Sequence, residues 1–345
     1  MGVLNNLDAS KEESEKAQGL ARLAKQKRTE RELRGLVSAL TAEIDEMQRA
    51  LDLCDLVTES KPLRLPKPKK RTGSPVTPVV LWSDWHIEET VLGSQTNGRN
   101  EYNPDVARAR YERLIDNTSH LINRESTTSS IGEAVVWLGG DFMSGHIHED
   151  LVEVTSTSPT ETAAIAHQWL LDGLKYVADQ TKLDRILVPT SFGNHGRINK
   201  GRPRIATAAS HNLEQFVYGL IARDLKDDNR FQLDVSPTAF KYLSLGDMCV
   251  RFTHGDTFSY GGGIGGLAIP LHKAVARWNE ETRATLTCFG HYHQKRDFEF
   301  AVGNGSLIGT SEYSRRFGYE PPQQVLFFID RERNAKAGVH PVFVE

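Results

Sequence analysis

Cysteine is scarce. Cys54, Cys249 and Cys288 are the only three in 345 residues, and no two form a C-x-x-C pair. An odd number at wide spacing excludes a disulfide framework and a zinc ribbon, and it predicts a reducing, intracellular (cytoplasmic) setting. Long hydrophobic runs are missing too, so no membrane-spanning helix is expected. The opening residues, MGVLNNLDASKEESEK, have no apolar h-region, so no secretory leader is expected. Asn6 stands where a myristoylation motif after Gly2 needs Ser or Thr. A basic excess is absent as well: 42 Lys and Arg face 45 Asp and Glu, a net charge of −3. That excludes an overall basic DNA-binding signature. What remains is ordinary soluble globular composition, 39% hydrophobic and 25% charged, in a chain long enough for a large domain with an appendage, or for two domains.

The charge is unevenly placed. Residues 1–78 carry 15 Lys and Arg against 12 Asp and Glu, leaving the rest of the chain acidic by six charges. Residues 11–56 predict a long helix, with no proline, only the glycines Gly19 and Gly35, and many Glu, Lys, Arg, Ala and Leu. Within it Leu33, Val37, Leu40, Ile44, Met47, Leu51 and Cys54 alternate at spacings of four and three, a heptad seam. Two readings stand, a coiled coil that makes a homo-oligomer through residues 20–56 and an amphipathic helix docked on its own domain. Residues 59–77 then form a Pro-rich linker with Lys61, Arg64, Lys67, Lys69, Lys70 and Arg71 and no acid between them. It reads as a semi-rigid spacer or as an arm that contacts phosphates.

From residue 78 to 345 the pattern is that of a single α/β domain. Short apolar runs predict strands at Pro78–Trp82, Ala134–Leu138, Arg185–Pro189, Cys249–Thr253 and Thr285–Phe289. Helical stretches near 104–124, 160–180, 205–226 and 267–282 alternate with them. Lys241–Leu245 and Cys249–Thr253 predict a hairpin around Gly246-Asp247. Further strands are expected near 298–302, 306–309, 325–329 and 339–344.

Five polar clusters begin where these strands end: Ser83-Asp84-Trp85-His86, Gly139-Gly140-Asp141, Gly193-Asn194-His195, Thr253-His254-Gly255-Asp256 and Gly290-His291-Tyr292-His293. That edge of an α/β sheet is where ligands bind, so five loops can converge on one spot. Asp, His and one Asn carbonyl are hard or borderline ligands that suit Mn, Fe or Zn. A carboxylate shared by two such ions can place a hydroxide for in-line attack on phosphorus. Each cluster alone is weak; the ordered set is specific.

The series D-x-H, G-D, G-N-H, H-G and G-H-x-H resembles the signature of the calcineurin-like metallophosphoesterases over about residues 78–310. In style it is closest to the DNA repair exonucleases and phosphodiesterases, and the plan with an N-terminal helical arm resembles phage-encoded members, which would work in a host cytoplasm. The resemblance implies a four-layer α/β/β/α sandwich holding two divalent ions, Mn first. It implies that Asp84, His86 and His293 hold one metal, that Asn194, His254 and His291 hold the other, and that Asp141 bridges them. His195 would stand beside the pair, stabilising the transition state or protonating the leaving oxygen.

The sequence also departs from that pattern. Many members carry Glu or Asp after G-N-H, where this chain has Gly196-Arg197. Arg197 clamps a phosphate oxygen or is a surface residue of a basic loop with Lys200, Arg202 and Arg204. His146 and His148, in GDFMSGHIHED, reach the substrate or are loop residues capping the helix near 160. The G-x-G-x-x-G match at Gly261, Gly263 and Gly266 falls inside the phosphoesterase series, so it reads as a mobile or phosphate-approaching loop rather than a dinucleotide fingerprint. Protein phosphatases of the superfamily typically have an Arg soon after G-D and a Glu after G-N-H, and neither is in place. The first reading is a DNA nuclease or phosphodiesterase with nucleic acid as substrate. The alternatives are a phosphomonoesterase acting on a protein or small molecule, and a non-catalytic metal-binding assembly scaffold.

Overall fold

The computed structural model describes residues 16, 19–45, 73–147, 149–199, 208–260, 265–312, 314 and 318–345. The chain divides into two units, Met1–Lys69 and Lys70–Glu345. In the first, residues 19–45 form helix α1. Its surface carries i,i+4 pairs, Arg28–Glu32 at 3.0 Å and Arg34–Glu30 at 2.8 Å, which add a few tenths of a kcal/mol each at most. Leu33, Val37, Leu40 and Ile44 are all exposed. Met47, Leu51, Cys54 and the basic stretch from Lys61 to Arg71 lie outside the described residues.

The second unit is mixed α/β, with two sheets. One sheet has the order β11-β10-β1-β2-β3-β4. It is built from β1 (Val76–Trp82), β2 (Glu133–Leu138), β3 (Arg185–Pro189), β4 (Phe231–Asp234), β10 (Gln323–Asp330) and β11 (Ala335–Phe343). Strands β1 to β4 run parallel, and β10 pairs antiparallel with both β1 and β11. The other sheet has the order β5-β6-β7-β9-β8, from β5 (Lys241–Leu245), β6 (Met248–Thr253), β7 (Leu286–Phe289), β8 (Arg296–Asp297) and β9 (Ala301–Gly303). The expected hairpin is present, with Leu245 opposite Met248 and Gly246 at φ 66°; Gly at the first loop position suits a tight two-residue turn.

Every residue of β1 and β10 is buried, which is why these central strands read as continuous apolar runs instead of alternating ones. One face of the first sheet packs Val80, Trp82, Val136, Leu138, Ile186 and Val188 against α2 (Pro104–Ser126), α4 (Pro159–Thr181) and α5 (Leu213–Asp224). Its other face, with Val79, Leu81, Val135, Trp137, Val325 and Phe327, meets Val250, Phe252, Leu286 and Cys288 of the second sheet. Phe289 and Ala301 of that second sheet join Leu271, Ala274 and Val275 of α6 (Ala268–Glu281).

Most expected elements appear within a few residues of their reading, but some do not. Residues 306–309 form no strand. The Leu307 N–H donates to the Asp84 carbonyl at 3.0 Å, and the Leu307 and Ile308 carbonyls accept from the buried Arg110 guanidinium at 2.9 Å. The segment's backbone groups are thus satisfied by a side chain and a loop rather than by a ladder. The helix expected over 205–226 begins at Leu213, capped by the Asn212 side chain. The strand expected at 298–302 is the shorter β9. The short helix α3 (Glu149–Val154), and strands β4 and β8, carry too little periodicity to be foreseen.

Candidate metal centre

The five clusters come from the ends of parallel strands, β1, β2 and β3 in one sheet and β6 and β7 in the other. Backbone bonds then tie the loops together. The Asp84 N–H donates to the Gly140 carbonyl at 2.9 Å and the His86 N–H to the Asp141 carbonyl at 3.1 Å. Across the two sheets, the His291 N–H donates to Asp84 Oδ1 at 2.9 Å, and His254 Nδ1 donates to the Gly139 carbonyl at 2.7 Å. Glycine is required at two close approaches. A Cβ on Gly193 would lie 2.0 Å from Asp141 Oδ1, and one on Gly290 would lie 2.4 Å from Asp84 Oδ2.

Two groups of side chains could each hold a divalent ion: Asp84, His86 and His293, and Asp141, His254 and His291. Within each group the ligand atoms lie within 4.8 Å of one another. Asn194 joins the second group, its Oδ1 3.2 Å from His254 Nε2. Nε2 atoms of His86 and His293 face each other at 3.2 Å, a convergence of imidazole nitrogens that a cation between them satisfies. The donor set of carboxylate, imidazole and amide oxygen fits Mn, Fe or Zn. Backbone strain collects at the same residues. Eight non-glycine residues among those described have positive φ, and five are candidate ligands: Asp84 (57°), His86 (50°), Asp141 (53°), His291 (68°) and His293 (55°). Such conformations cost roughly 1–3 kcal/mol each and persist where surrounding contacts over-determine them.

Burial and charge set the proton inventory. Burial pushes His86 and His291 well below the usual imidazole value, and His293 to about 3, so all three are neutral near pH 7, the form of imidazole that ligates a metal. Burial, helped by the negative charge of Asp141, raises Asp84 to about 8 against the pull of His254. Burial also opposes ionisation of Asp141, yet the positive charges of His254 and His195 hold it well below the usual carboxylate range. His254 is correspondingly raised, the charge of Asp141 overcoming burial; its Nε2 is 3.0 Å from Asp141 Oδ2.

His195 lies beside the centre. Its ring packs edge-on to His86 with centroids 4.9 Å apart, and its N–H donates to Asp141 Oδ1 at 2.8 Å. The ring Nδ1 is 2.8 Å from the Ser144 carbonyl. A carbonyl only accepts, so Nδ1 carries a proton. Arg197 is half-buried, and its Nε has no hydrogen-bond partner among the described residues. His146 is exposed, with Nε2 3.3 Å from Thr155 Oγ1. It does not cap the helix that follows, a position held by Ser158 with Glu161. His148 lies outside the described residues, as do Lys200, Arg202, Arg204, Gly261 and Gly263.

Several site residues escaped sequence reasoning. Glu214 of α5 accepts the Phe142 N–H at 2.7 Å and the Gly193 N–H at 2.6 Å, joining the Gly-Asp loop to the Gly-Asn-His loop. Burial first, and then the charge of Asp141, raise it to about 7. It also accounts for Gly196, where a Cβ would meet Asn212 Oδ1 at 2.5 Å and Glu214 Cγ at 2.8 Å. Asp84 is braced from below. Ser83 Oγ donates to its Oδ2 at 2.5 Å, and Asn304 Nδ2 donates to Ser83 Oγ at 2.8 Å and to Gln324 Oε1 at 3.0 Å. His86 Nδ1 is 2.9 Å from Ser144 Oγ, which donates to Glu89 Oε2 at 2.7 Å. The hydroxyl therefore accepts from Nδ1–H, fixing the tautomer that turns Nε2 inward.

No family model matches the chain, and no curated protein does. Solved structures similar to it include a single-mutant Vps29 from Entamoeba histolytica, at 12% identity over 73% of this chain and 85% of that one, with a TM-score of 0.31. Another is Vps29 from Chaetomium thermophilum, at 11% identity over 78% of this chain and 99% of that one, TM-score 0.29. The hypothetical protein PH1004 from Pyrococcus horikoshii OT3 is similar at 10% identity over 78% and 89% of the two chains, TM-score 0.39. No helix among the described residues is long and apolar enough to cross a membrane.

Proposed function

We propose that this chain is a two-metal phosphodiester hydrolase of the calcineurin-like type, with a four-layer α/β/β/α body, that cleaves nucleic acid. The observation that carries the reading is the pair of three-residue clusters, each with its ligand atoms within 4.8 Å of one another, at the shared strand ends. Asp84, His86 and His293 would hold one ion, Asn194, His254 and His291 the other, and Asp141 would serve both. Bound there, divalent ions such as manganese supply a water nucleophile at neutral pH and offset the charge of a phosphate. The chain's own groups do the rest. His195 presents Nε2 to the leaving oxygen and protonates it. Arg197 offers a planar fork to a phosphate oxygen, and the loop of His146 and His148 borders the substrate. The basic stretch from Lys61 to Arg71 tracks a polyanion, and α1 pairs with a second copy through Leu33, Val37, Leu40 and Ile44, which are 50–61% exposed.

The test is a parallel assay in Mn²⁺ of single- and double-stranded DNA, bis-p-nitrophenyl phosphate and p-nitrophenyl phosphate, with Asp141→Asn as control. Cleavage of DNA and diester is expected, and its loss in the variant. Monoester cleavage alone would move the protein to the phosphatases. Metal binding without hydrolysis of any ester would favour an assembly scaffold.

A further inference from the structure

We infer that Glu88 is a positioning residue for His195, acting through the Ser144–Gly145 turn; this rests on the reading of His195 as the group that protonates the leaving oxygen. Glu88 follows the first cluster by two residues and is 1% exposed. A single carboxylate oxygen, Oε1, accepts the Ser144 N–H at 2.9 Å and the Gly145 N–H at 2.8 Å. Its other oxygen is buried with no hydrogen-bond partner among the described residues. A buried carboxylate committed to two successive N–H groups fixes the orientation of the peptide between them, since releasing either group would leave it unsatisfied. That peptide is the one whose carbonyl, on Ser144, receives His195 Nδ1 at 2.8 Å. Gly145 lies at φ 57°, and a Cβ there would meet the His195 carbonyl oxygen at 2.5 Å, so the turn and the His195 backbone are in direct contact.

The chain of command is short: Glu88 fixes the turn, and the Ser144 carbonyl holds Nδ1–H and with it the plane of the ring. In the reaction, water oxygen bonds to phosphorus and the bond from phosphorus to the leaving oxygen breaks. The Nε2 proton passes to that oxygen, water gives its proton to solvent, and His195 is reprotonated from solvent. Orientation of the acid matters most when the leaving group is a strongly basic alkoxide and least when it is p-nitrophenolate, which departs unprotonated.

The experiment compares the full-length wild type, His195→Ala, Glu88→Ala and Glu88→Gln on a dinucleotide and on bis-p-nitrophenyl phosphate, with manganese content and thermal melting measured for each. Glu88→Ala is expected to follow His195→Ala, losing about 10²-fold in kcat on the dinucleotide and far less on the aryl ester. Glu88→Gln keeps an oxygen for both N–H groups and is expected to recover the wild-type ratio. Equal losses on both substrates in Glu88→Ala, with the selective loss kept in His195→Ala, would overturn the inference and leave the reading of His195 intact. Should the wild type cleave neither ester, the phosphoesterase reading falls. Imidazole ¹⁵N spectra then decide the positioning separately. The neutral His195 ring, the form left after its Nε2 proton is given up, is expected as the Nδ1–H tautomer in wild type and Glu88→Gln and as mixed tautomers in Glu88→Ala, and an unchanged spectrum in Glu88→Ala would overturn it.

Discussion

Asp84 shows how much of the centre is decided at a single residue. It sits at φ 57°, accepts from Ser83 Oγ and the His291 N–H, and is raised to about 8 chiefly by burial. A folded-state value above the unfolded one means that its proton stabilises the metal-free fold at low pH, and that this contribution is lost as pH rises through about 8. Metal uptake requires the ionised carboxylate, and it also requires His254 to give up its raised proton. Affinity for Mn²⁺ is therefore expected to rise by at least tenfold per pH unit between about pH 6 and 8, one proton being released per tenfold. Titration calorimetry in buffers of different ionisation enthalpy checks this; a pH-independent affinity with no proton release would contradict it. The candidate ligands were legible in the sequence because each motif begins where an apolar run stops. The groups that brace them were not. Asn304 and Gln324 lie more than 200 residues from Ser83, and Glu214 belongs to a helix face. Only packing brings them in. Glu88 and Glu89 had a visible signal, two adjacent acids one residue beyond the D-x-H motif, which the motif itself overshadowed.

Elements explain why the loops hold still. Helix α4 starts with a reciprocal cap, in which Ser158 Oγ accepts the Glu161 N–H at 3.3 Å and Glu161 Oε2 accepts the Ser158 N–H at 2.9 Å. Its buried face, with Ala166, Leu170, Leu174 and Val177, covers the first sheet. Ser158→Ala is expected to lower stability by about 1 kcal/mol and to leave manganese content unchanged, as read by denaturant unfolding and metal analysis. Loss of metal in that variant would mean the cap belongs to the site. Strands were readable where burial on both faces produced apolar runs, as in β1, β2 and β10. They were not readable where a segment serves the site instead of a ladder. Residues 306–309 look like a strand by composition, but the Arg110 guanidinium and the Asp84 carbonyl capture their backbone groups. The four alternating exposures of β4 are too few to separate from a turn.

At the scale of the whole molecule, the chain joins a mixed α/β unit with two candidate metal-ligand groups to a helix with exposed apolar residues. Val37 and Ile44 occupy one heptad position of that seam and Leu33 and Leu40 the other, the arrangement of β-branched and Leu residues that favours a parallel pair of helices. Deleting residues 1–58 is expected to halve the mass measured by light scattering while leaving hydrolysis of bis-p-nitrophenyl phosphate intact. An unchanged mass would favour a helix docked on its own chain. An α/β layered body could be read from alternating strands and helices, whereas the partition of strands between two sheets could not, because pairings such as β1 with β10 join segments far apart in sequence.

The central claim is that one edge of these two sheets assembles a centre for two divalent ions around Asp141. The most direct measurement is metal content by mass spectrometry after manganese loading and desalting, together with anomalous diffraction from crystals of the loaded protein. Two ions per chain are expected, one beside Asp84, His86 and His293 and one beside Asn194, His254 and His291, with occupancy falling in Asp141→Asn. No retained metal, or ions bound elsewhere with these seven side chains uncoordinated, would contradict it.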